Sequence, residues 1–444
     1  MSDDAAMAWR ESAQVNSVQP LEDLRFHRWY RFVLAYSDRL VTDLIGRYDI
    51  GQDSLLLDPF CGTGTTLIAA KAAGISSKGI DSNPAAVLAS NVKTNWTVDP
   101  AEVRAAFARI RRRFSPFRSF YDPTKRHDKS LIADLRQYLE HSHLYDRVEY
   151  FENSGMLERN WMLETPMLQA FALMHMVETS KYGQPTVDLL RLVLTATIQE
   201  SIANISFGPE LYVKKAKLTQ VKDALGSFAA KVETACEDLS NAPATKATAL
   251  AFAADSRKMT SVIRHQSVSH VITSPPYPTE KDYTRNSRLE LVFLGFVTDR
   301  GSLQGVKKEM IRSHSKGIYK DDDDSALVAD LASVQEVADE VRGKAAAKTY
   351  GFAKLYPKII TEYFGGMRRH LRSLHPLMRE GGIAAYVVGE QTCYLQTYTP
   401  TATILGEIAQ LEGFELKEIL PFRIRAGTTG GGRLIKEEVL VLRA

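Results

Sequence analysis

The chain reads as a three-layer α/β protein, a mainly parallel sheet with helices on both faces, interrupted by a mostly helical insertion. Three observations predict this. Two short apolar runs, Ser54-Leu-Leu-Leu-Asp58 and Ser77-Lys-Gly-Ile-Asp81, each end in a carboxylate and each lead into a helical segment, the strand–helix–strand–helix opening of a doubly wound sheet. From about residue 95 to 244 the apolar period is helical and the strand signal disappears. It resumes at Ala249-Leu-Ala-Phe-Ala-Ala-Asp255 and His270-Val-Ile-Thr273. The expected units are therefore 1–94 as the first half of the core, 95–244 as the insertion and 245–444 as the second half.

The elements follow in order. Trp29 to Ile45 places Phe32, Leu34, Tyr36, Leu40 and Leu44 at helical spacing with Arg28, Arg31 and Arg39 beside or between them, so an amphipathic helix is predicted ahead of the first strand. Gly62-Thr-Gly-Thr-Thr66 then turns the chain into an alanine-rich helix, Leu67 to Ala73, and a second helix starts at Pro84. Within the insertion an aromatic and basic section, Arg104 to Lys129, and an irregular middle, Phe151 to Trp161, precede periodic helices at Leu163–Thr179 and Val187–Ala203. After Tyr277 the pattern gives a helix through Leu289–Phe296, a polar loop around His314–Asp324 and a long helix Tyr356–Met378. A buried strand Gly381–Gly389, a helix Pro400–Glu412 and a strand pair, Glu415–Arg425 with Glu438–Leu442, complete the chain.

Bulk properties exclude more than they identify. At 444 residues, with 44% hydrophobic and 25% charged residues, the composition is that of an ordinary globular protein with at least one large core. A formal charge of +3 is too small for an overall field to hold nucleic acid, so any such contact must come from local clusters. Cys61, Cys236 and Cys393 lie far apart without metal-ligand spacing, which argues against a zinc site or a disulfide framework. The acidic start has no apolar signal core and Val187–Ile198 is too short to span a bilayer, so a cytoplasmic protein is expected.

Two motifs carry chemistry. In Asp58-Pro-Phe-Cys-Gly-Thr-Gly-Thr-Thr66 the glycines let the backbone approach a ligand closely, and the following helix points its amides at it. Asp81 ends the next strand about 20 residues later, the place of an acid that accepts hydrogen bonds from ribose hydroxyls. The loop has neither the NAD spacing nor the lysine of a nucleotide P-loop. It resembles the first motif of the amino-methylating (N4-cytosine and N6-adenine) S-adenosylmethionine-dependent DNA methyltransferases. The resemblance implies a Rossmann-like seven-stranded core, S-adenosylmethionine as cofactor, and cofactor contacts from Asp58, Phe60, Gly62, Gly64, Thr65 and Asp81. Ala254-Asp255-Ser256 resembles the third motif, with Asp255 near the adenine amine; an acid at a strand end is equally a common helix cap.

The second motif, Thr273-Ser-Pro-Pro-Tyr277, resembles the catalytic loop of the same family. A base amine is a weak nucleophile because its lone pair is delocalised into the ring. Two acceptors aimed at its hydrogens favour a pyramidal nitrogen. Ser274 Oγ and the carbonyl of Pro275 or Pro276 suit that task, the prolines fix the backbone, and Tyr277 can stack on an extracted base. Serine at the first position leans towards cytosine N4, aspartate towards adenine N6. Asp282-Tyr-Thr-Arg285 resembles the continuation of this loop, with Tyr283 and Arg285 on the flipped nucleotide or its phosphate, and the segment around Tyr30 to Asp38 stands where a flap over the methionine pocket is expected.

Arg109, Arg111, Arg112, Arg113, Arg118, Lys125, Arg126 and Lys129, interleaved with Phe114, Phe117, Phe120 and Tyr121, suit phosphate contact and stacking, or simply a solvated face. Arg423, Arg425 and Arg433 flank a glycine-rich loop, Gly427–Gly432, that is either a DNA contact or a hairpin tip. Asp321–Asp324 reads as a solvated loop and not a metal site, since four adjacent carboxylates cannot all face one ion. Cys61 lacks the Pro-Cys setting of a cytosine C5 nucleophile and reads as a small residue behind the loop. The resemblance thus implies a metal-independent, site-specific methyltransferase acting on double-stranded DNA, with a restriction endonuclease or other defence-system partner. The alternatives are an N6-adenine enzyme, an RNA base methyltransferase and a non-catalytic nucleic-acid-binding protein.

Overall fold

The computed structural model describes residues 25–30, 36–124, 128–207, 211–278, 281–348, 351–392, 394–426 and 434–444. Arg31, Phe32, Leu34, Lys125, Arg126, Cys393, Gly427–Gly432 and Arg433 lie outside the described residues, as do the side chains of 424–426 and 434–435. Among the described residues the first α-helix, α1, is Asp38–Arg47, with the Ser37 hydroxyl accepting from the Arg39 N–H. A start at Trp29 is not observed: His27–Trp29 is one 3₁₀ turn and Tyr30 is extended. The reason is tertiary, because Phe26 N, Arg28 Nε and Trp29 Nε1 all donate to Asp238 at 3.1, 3.0 and 2.8 Å and hold the turn away from α1.

The strand–helix alternation follows as β1 Leu55–Asp58, α2 Thr65–Ala72, β2 Ser76–Asp81 and α3 Pro84–Thr94. Asn83 caps α3 with Pro84 in its first turn. The next elements are α4 Pro100–Phe114, α5 Lys129–Glu140, α6 Tyr145–Asn153, α7 Glu164–Glu178 and α8 Gln184–Thr197, the last running into a π-helical turn, Ile198–Ile202. A small antiparallel ribbon, β3 Ile205–Phe207 with β4 Leu211–Val213, interrupts the mostly helical insertion and was not predicted; strands of three residues are too short to show alternation. The short α9 Lys215–Leu218 and the longer α10 Ala224–Ser240 return the chain to the sheet.

The rest comprises β5 Ala249–Ala253, β6 Val268–Thr273, α11 Tyr283–Asn286, α12 Arg288–Phe293, α13 Arg300–Glu309, α14 Ala332–Ala346, α15 Tyr356–Leu374, β7 Met378–Gly389, α16 Thr401–Leu411, β8 Glu415–Ala426 and β9 Leu434–Arg443. The sheet has seven strands in the order β5-β2-β1-β6-β7-β9-β8, and only β9 runs against its neighbours, so the predicted fold class is the observed one. Successive side chains of a strand point to opposite faces, and here both faces are apolar. Leu57, Val271 and Ala384 join Ile359, Phe364 and Ile404 on one side, while Leu56, Ile272 and Ala385 join Leu40, Leu44 and Ala70 on the other. A further core fills the helical layer and takes in Trp29, Tyr30 and Leu289–Leu294. Among the described residues no helix is long and apolar enough to cross a membrane.

The acidic run is not simply solvated. Asp324 is buried between Arg257 Nη1 at 2.7 Å and Arg369 Nε at 2.5 Å, and Asp322 meets Arg312 at 2.8 Å, whereas Asp321 and Asp323 are exposed. Three arginines distant in sequence draw two of the four carboxylates inward. The segment carrying Asp324 presses against α15 so closely that a Cβ on Gly365 would run into the Asp324 carbonyl. Gly365→Ala is accordingly expected to cost about 3 kcal/mol or more, seen as a fall in Tm, whereas Gly343→Ala, which meets nothing within 4 Å on exposed α14, leaves Tm unchanged or slightly raised.

Candidate functional site

β1 and β6 are neighbours, and the chain leaves β1 towards β2 on one side while β7 lies on the other. This is the point at which a doubly wound sheet reverses its winding and opens a crevice at the carboxyl ends of its strands. Asp58, Asp81 and Thr273 all end strands on that edge. Asp58 is 1% exposed, and its oxygens accept from Thr273 Oγ1 at 2.6 Å, Tyr36 Oη at 3.1 Å and the Phe60 N–H at 3.1 Å. Within the protein Asp58 thus ties the end of β6, the start of the glycine loop and Tyr36 together. Burial pushes its carboxyl up, and the hydroxyl and N–H donors oppose that.

The glycine loop has the shape that a close ligand requires. Gly64 has φ +89° and a Cβ there would meet Ser90 Oγ at 2.6 Å, so α3 enforces the glycine from below. Gly62 has φ +50° and open space where a Cβ would stand, and its N–H donates to Asp81 Oδ2 at 2.9 Å. Thr65 starts α2, and Cys61 packs beneath the loop, where a Cβ on Gly79 would lie 2.7 Å from its sulfur. Asp81 also accepts the Asn83 N–H at 2.8 Å, and burial pushes its carboxyl up to about 6 against these two bonds. The Phe60 ring rests on His370, with centroids 4.8 Å apart. His370 donates from Nδ1 to the Ser256 carbonyl at 3.1 Å and so accepts from Tyr386 Oη at Nε2, 2.7 Å away. Burial holds this imidazole neutral, down to about 4. Asp255 is held by Arg257 in a two-pronged ion pair, which Arg257 extends to Asp324.

The Ser274–Tyr277 loop leaves β6 directly beside Asp58. Tyr363 Oη donates to the Pro276 carbonyl at 2.9 Å and so fixes the orientation of that peptide in the Ser274 loop. Ser274 Oγ donates to Tyr277 Oη at 3.4 Å and Tyr277 Oη donates to the Val387 carbonyl at 3.3 Å. The direction is fixed by its end, since a carbonyl only accepts. The Tyr277 N–H donates to Tyr283 Oη at 3.4 Å, and burial together with the charge of Asp81 pushes the Tyr283 phenol up to about 12. Tyr283 therefore stands between the Asp81 strand end and the Ser274 loop.

Helices α11 and α12 are pinned on both sides. Asn83 Nδ2 donates to Ser287 Oγ at 3.0 Å, and Gln199 Nε2 of the π-helical turn donates to Glu290, whose fully buried carboxyl is pushed up to about 7. Arg285 lies on α11 near this junction. Arg111, Arg112 and Arg113 form the exposed end of α4, where Arg113 donates to the Met176 carbonyl and Thr179 Oγ1 at the end of α7. Sequence reasoning placed Tyr36 in a segment beside the site without its partner Asp58, and it missed Asn83, Tyr363 and His370. Only Asn83 carried a local signal, an Asn-Pro helix start.

The site offers a positive-φ glycine cradle, a part-buried carboxylate whose oxygens each keep a free lone pair beyond their one N–H, and a serine–carbonyl pair one strand away. A cradle and a carboxylate of this kind are chemically suited to S-adenosylmethionine, for which the resemblance implies that Gly62 and Gly64 would hold the amino-acid part and Asp81 the ribose diol. Among the described residues no cluster of three His, Cys, Asp or Glu could hold a metal.

Comparison with known proteins agrees with the motifs. No family model matches the chain. It is similar to the Type II methyltransferase M.AvaI of Nostoc sp., 24% identical over 427 residues that cover 92% of this chain and 83% of that protein. It is also similar to the Type II methyltransferase M.BsoBI of Geobacillus stearothermophilus, 26% identical over 294 residues, 63% of this chain and 54% of that protein. The chain thus spans about half of M.BsoBI and most of M.AvaI, and its similarity to these two Type II methyltransferases is at low identity.

The resemblance implies that Asp81 accepts from the ribose hydroxyls, which an ionised carboxylate does more strongly than a protonated one, and its carboxyl is raised to about 6, so binding of S-adenosylhomocysteine is expected to weaken as pH falls through 6. Calorimetric titration should show Kd rising towards tenfold per pH unit below that point, with a flatter profile in Asp81→Asn.

Proposed function

We propose that this chain transfers a methyl group from S-adenosylmethionine to the exocyclic N4 amine of cytosine in double-stranded DNA, at a specific site, as the modification activity of a restriction–modification or related defence system. The observation that carries the reading is the orientation of the Ser274 loop beside the Asp81 cradle. Since Ser274 spends its proton on Tyr277, its lone pairs are left to accept from a substrate amine, and the carbonyl of Pro275 or Pro276 supplies the second acceptor. Two acceptors on one NH₂ group localise the nitrogen lone pair. S-adenosylmethionine, when bound, supplies the electrophilic methyl group.

The remaining work belongs to the protein. Phe60, set by His370, and Tyr277, set by Val387 and Gly389, close the crevice with aromatic surface, where a Cβ on Gly389 would come 3.5 Å from the Tyr277 ring. An amine engaged in a base pair cannot meet two acceptors and the methyl donor in this way, so the base must leave the duplex at a cost of a few kcal/mol. Asp81 and the glycine loop hold the methyl donor, and the proton released from the amine leaves through solvent or a neighbouring acceptor after transfer. The names of the relatives support a Type II methyltransferase activity, and a cognate endonuclease is the partner this reading implies. Serine at 274 in place of aspartate favours cytosine over adenine.

The test is nucleoside mass spectrometry of DNA from cells expressing the protein, followed by mapping of the modified sites. N4-methylcytosine at one sequence is expected. N6-methyladenine in its place would overturn the base assignment, and methylated RNA alone would overturn the substrate. Ser274→Ala should lower kcat about 100-fold, about 2.7 kcal/mol, and Tyr277→Phe, which keeps the ring but frees the serine proton, about tenfold. Equal activity of both variants and wild type would sink the proposed acceptor role.

A further inference from the structure

The peptide group that joins Pro276 to Tyr277 is held at both of its polar atoms by tyrosine hydroxyls from two different helices. Tyr363 Oη, on α15, donates to the Pro276 carbonyl at 2.9 Å, and Tyr283 Oη, on α11, accepts the Tyr277 N–H at 3.4 Å. Both tyrosines lie outside the Ser274–Tyr277 motif, and no step of methyl transfer uses either directly.

The sequence makes this peptide the point at which the loop is set. Residues 275, 276 and 278 are prolines, so of residues 275–278 only Tyr277 carries a backbone N–H. Backbone donors are what usually pin a loop to its neighbours. Here there is one in that stretch, and it goes to Tyr283. A peptide unit is planar, so holding its carbonyl and its N–H fixes the orientation of the plane. Pro275 and Pro276 stand between that plane and Ser274, and their locked φ angles carry the orientation back to the serine. On the other side of the same plane, the Tyr277 ring lies where Gly389 leaves room, and its hydroxyl meets Ser274 Oγ and the Val387 carbonyl.

Both tyrosines are themselves set by their surroundings. Tyr363 is fully buried within α15, its ring edge-on to Phe364 with centroids 5.0 Å apart. The Tyr283 carbonyl accepts from Ser287 Oγ at 3.1 Å, and Ser287 Oγ accepts from Asn83 Nδ2 at 3.0 Å. Asp282, which caps α11 just before Tyr283, takes Lys307 Nζ at 2.9 Å. A support of this kind serves chemistry that needs acceptors at fixed positions.

We infer that Tyr283 and Tyr363 are positioning residues for methyl transfer: together they clamp the Pro276–Tyr277 peptide and so aim the acceptors of the Ser274 loop at the substrate amine. This rests on the methyl transfer proposed above. The role it gives Tyr283 is support from behind the loop and not contact with the nucleotide. Phenylalanine separates the two parts of each side chain, since the ring stays and one hydrogen bond goes. Because both hydroxyls act on one peptide, loss of either loosens what the other holds, and the two effects are coupled.

The experiment measures single-turnover methylation by full-length wild type, Tyr283→Phe, Tyr363→Phe and the double variant, on a duplex carrying the mapped recognition sequence. Titrations with S-adenosylhomocysteine and with the duplex give the two Kd values. At saturating duplex and cofactor each single variant should transfer the methyl group about tenfold more slowly than wild type, with both Kd values within about twofold. The double variant should be slowed about 20- to 30-fold, short of the roughly 100-fold product of independent effects. A merely structural contribution would lower Tm without separating rate from binding. If Tyr363→Phe does not fold, Tyr283→Phe decides alone. A Tyr283→Phe protein that transfers at the wild-type rate overturns the inference, while methylation by wild type keeps the function. So does one that loses duplex affinity alone, since that is the mark of a nucleotide contact. A wild type that binds S-adenosylhomocysteine but methylates no base overturns both.

Discussion

The carboxylate of Asp58 lies in the seam between the two central strands, and the positions of both functional loops depend on it. One oxygen accepts from Thr273 at the end of β6 and from the Phe60 N–H at the start of the glycine loop, and the other accepts from Tyr36 ahead of α1. Tyr36 also meets Thr66 in the first turn of α2, and Thr66 donates to the Ile272 carbonyl at 3.3 Å. A group buried this deeply is costly without partners and stabilising with them, so the seam tolerates one arrangement only. Parallel register brings β1 and β6 side by side, but it is the hydrogen bonds to Asp58 that fix where the backbone departs from each. Ser274, the residue after Thr273, inherits its place from that bond.

The same economy joins the helical layer to the sheet. Asp238 of α10 gathers Phe26, Arg28 and Trp29, Gln199 reaches Glu290, and Lys93 of α3 is buried with its ammonium, pushed down to about 7 by burial, 3.5 Å from the Tyr30 carbonyl. These contacts lie within or beside the apolar cluster that spans the helices and Leu289–Leu294. Apolar packing of that extent could settle in several registers. Buried polar pairs that must each find one partner restrict it to one, at some expense in stability. The π-helical turn serves this restriction, because an extra residue in the turn re-aims the side chains that follow, and Gln199 stands inside it.

What the sequence revealed and what it withheld divide along physical lines. The strands at Leu55–Asp58, Ser76–Asp81 and Val268–Thr273 were legible because each is a short apolar run closed by a turn signal, and the cofactor and Ser274 loops because their chemistry is confined to a few consecutive residues. The β3–β4 ribbon was not, since its three-residue strands carry no periodicity, and the helical start at Trp29 failed because a distant carboxylate, Asp238, outcompeted local propensity. Asp322 and Asp324 read as solvated until Arg312, Arg257 and Arg369 arrived from elsewhere in the fold. Asp58 shows the same limit within a recognised motif, where the residue type was visible and its partners were not.

Helices α11 and α12 are where these constraints converge. Their residues touch the cofactor side through Asn83, the helical layer through Gln199 and the Ser274 loop through Tyr283. A displacement of α12 that broke the Glu290 contact would leave a buried carboxyl without its amide partner, and one that broke the Ser287 contact would strand the Asn83 amide. Each is a loss of about 1–3 kcal/mol. Small movements are therefore resisted from two sides, and the Ser274 loop shares that stiffness through the Tyr277 N–H. The acceptor role proposed for the Ser274 loop requires such a support, since an amine must be met within a few tenths of an ångström, and here it is built from residues on both sides of the crevice, so that neither layer positions the loop alone.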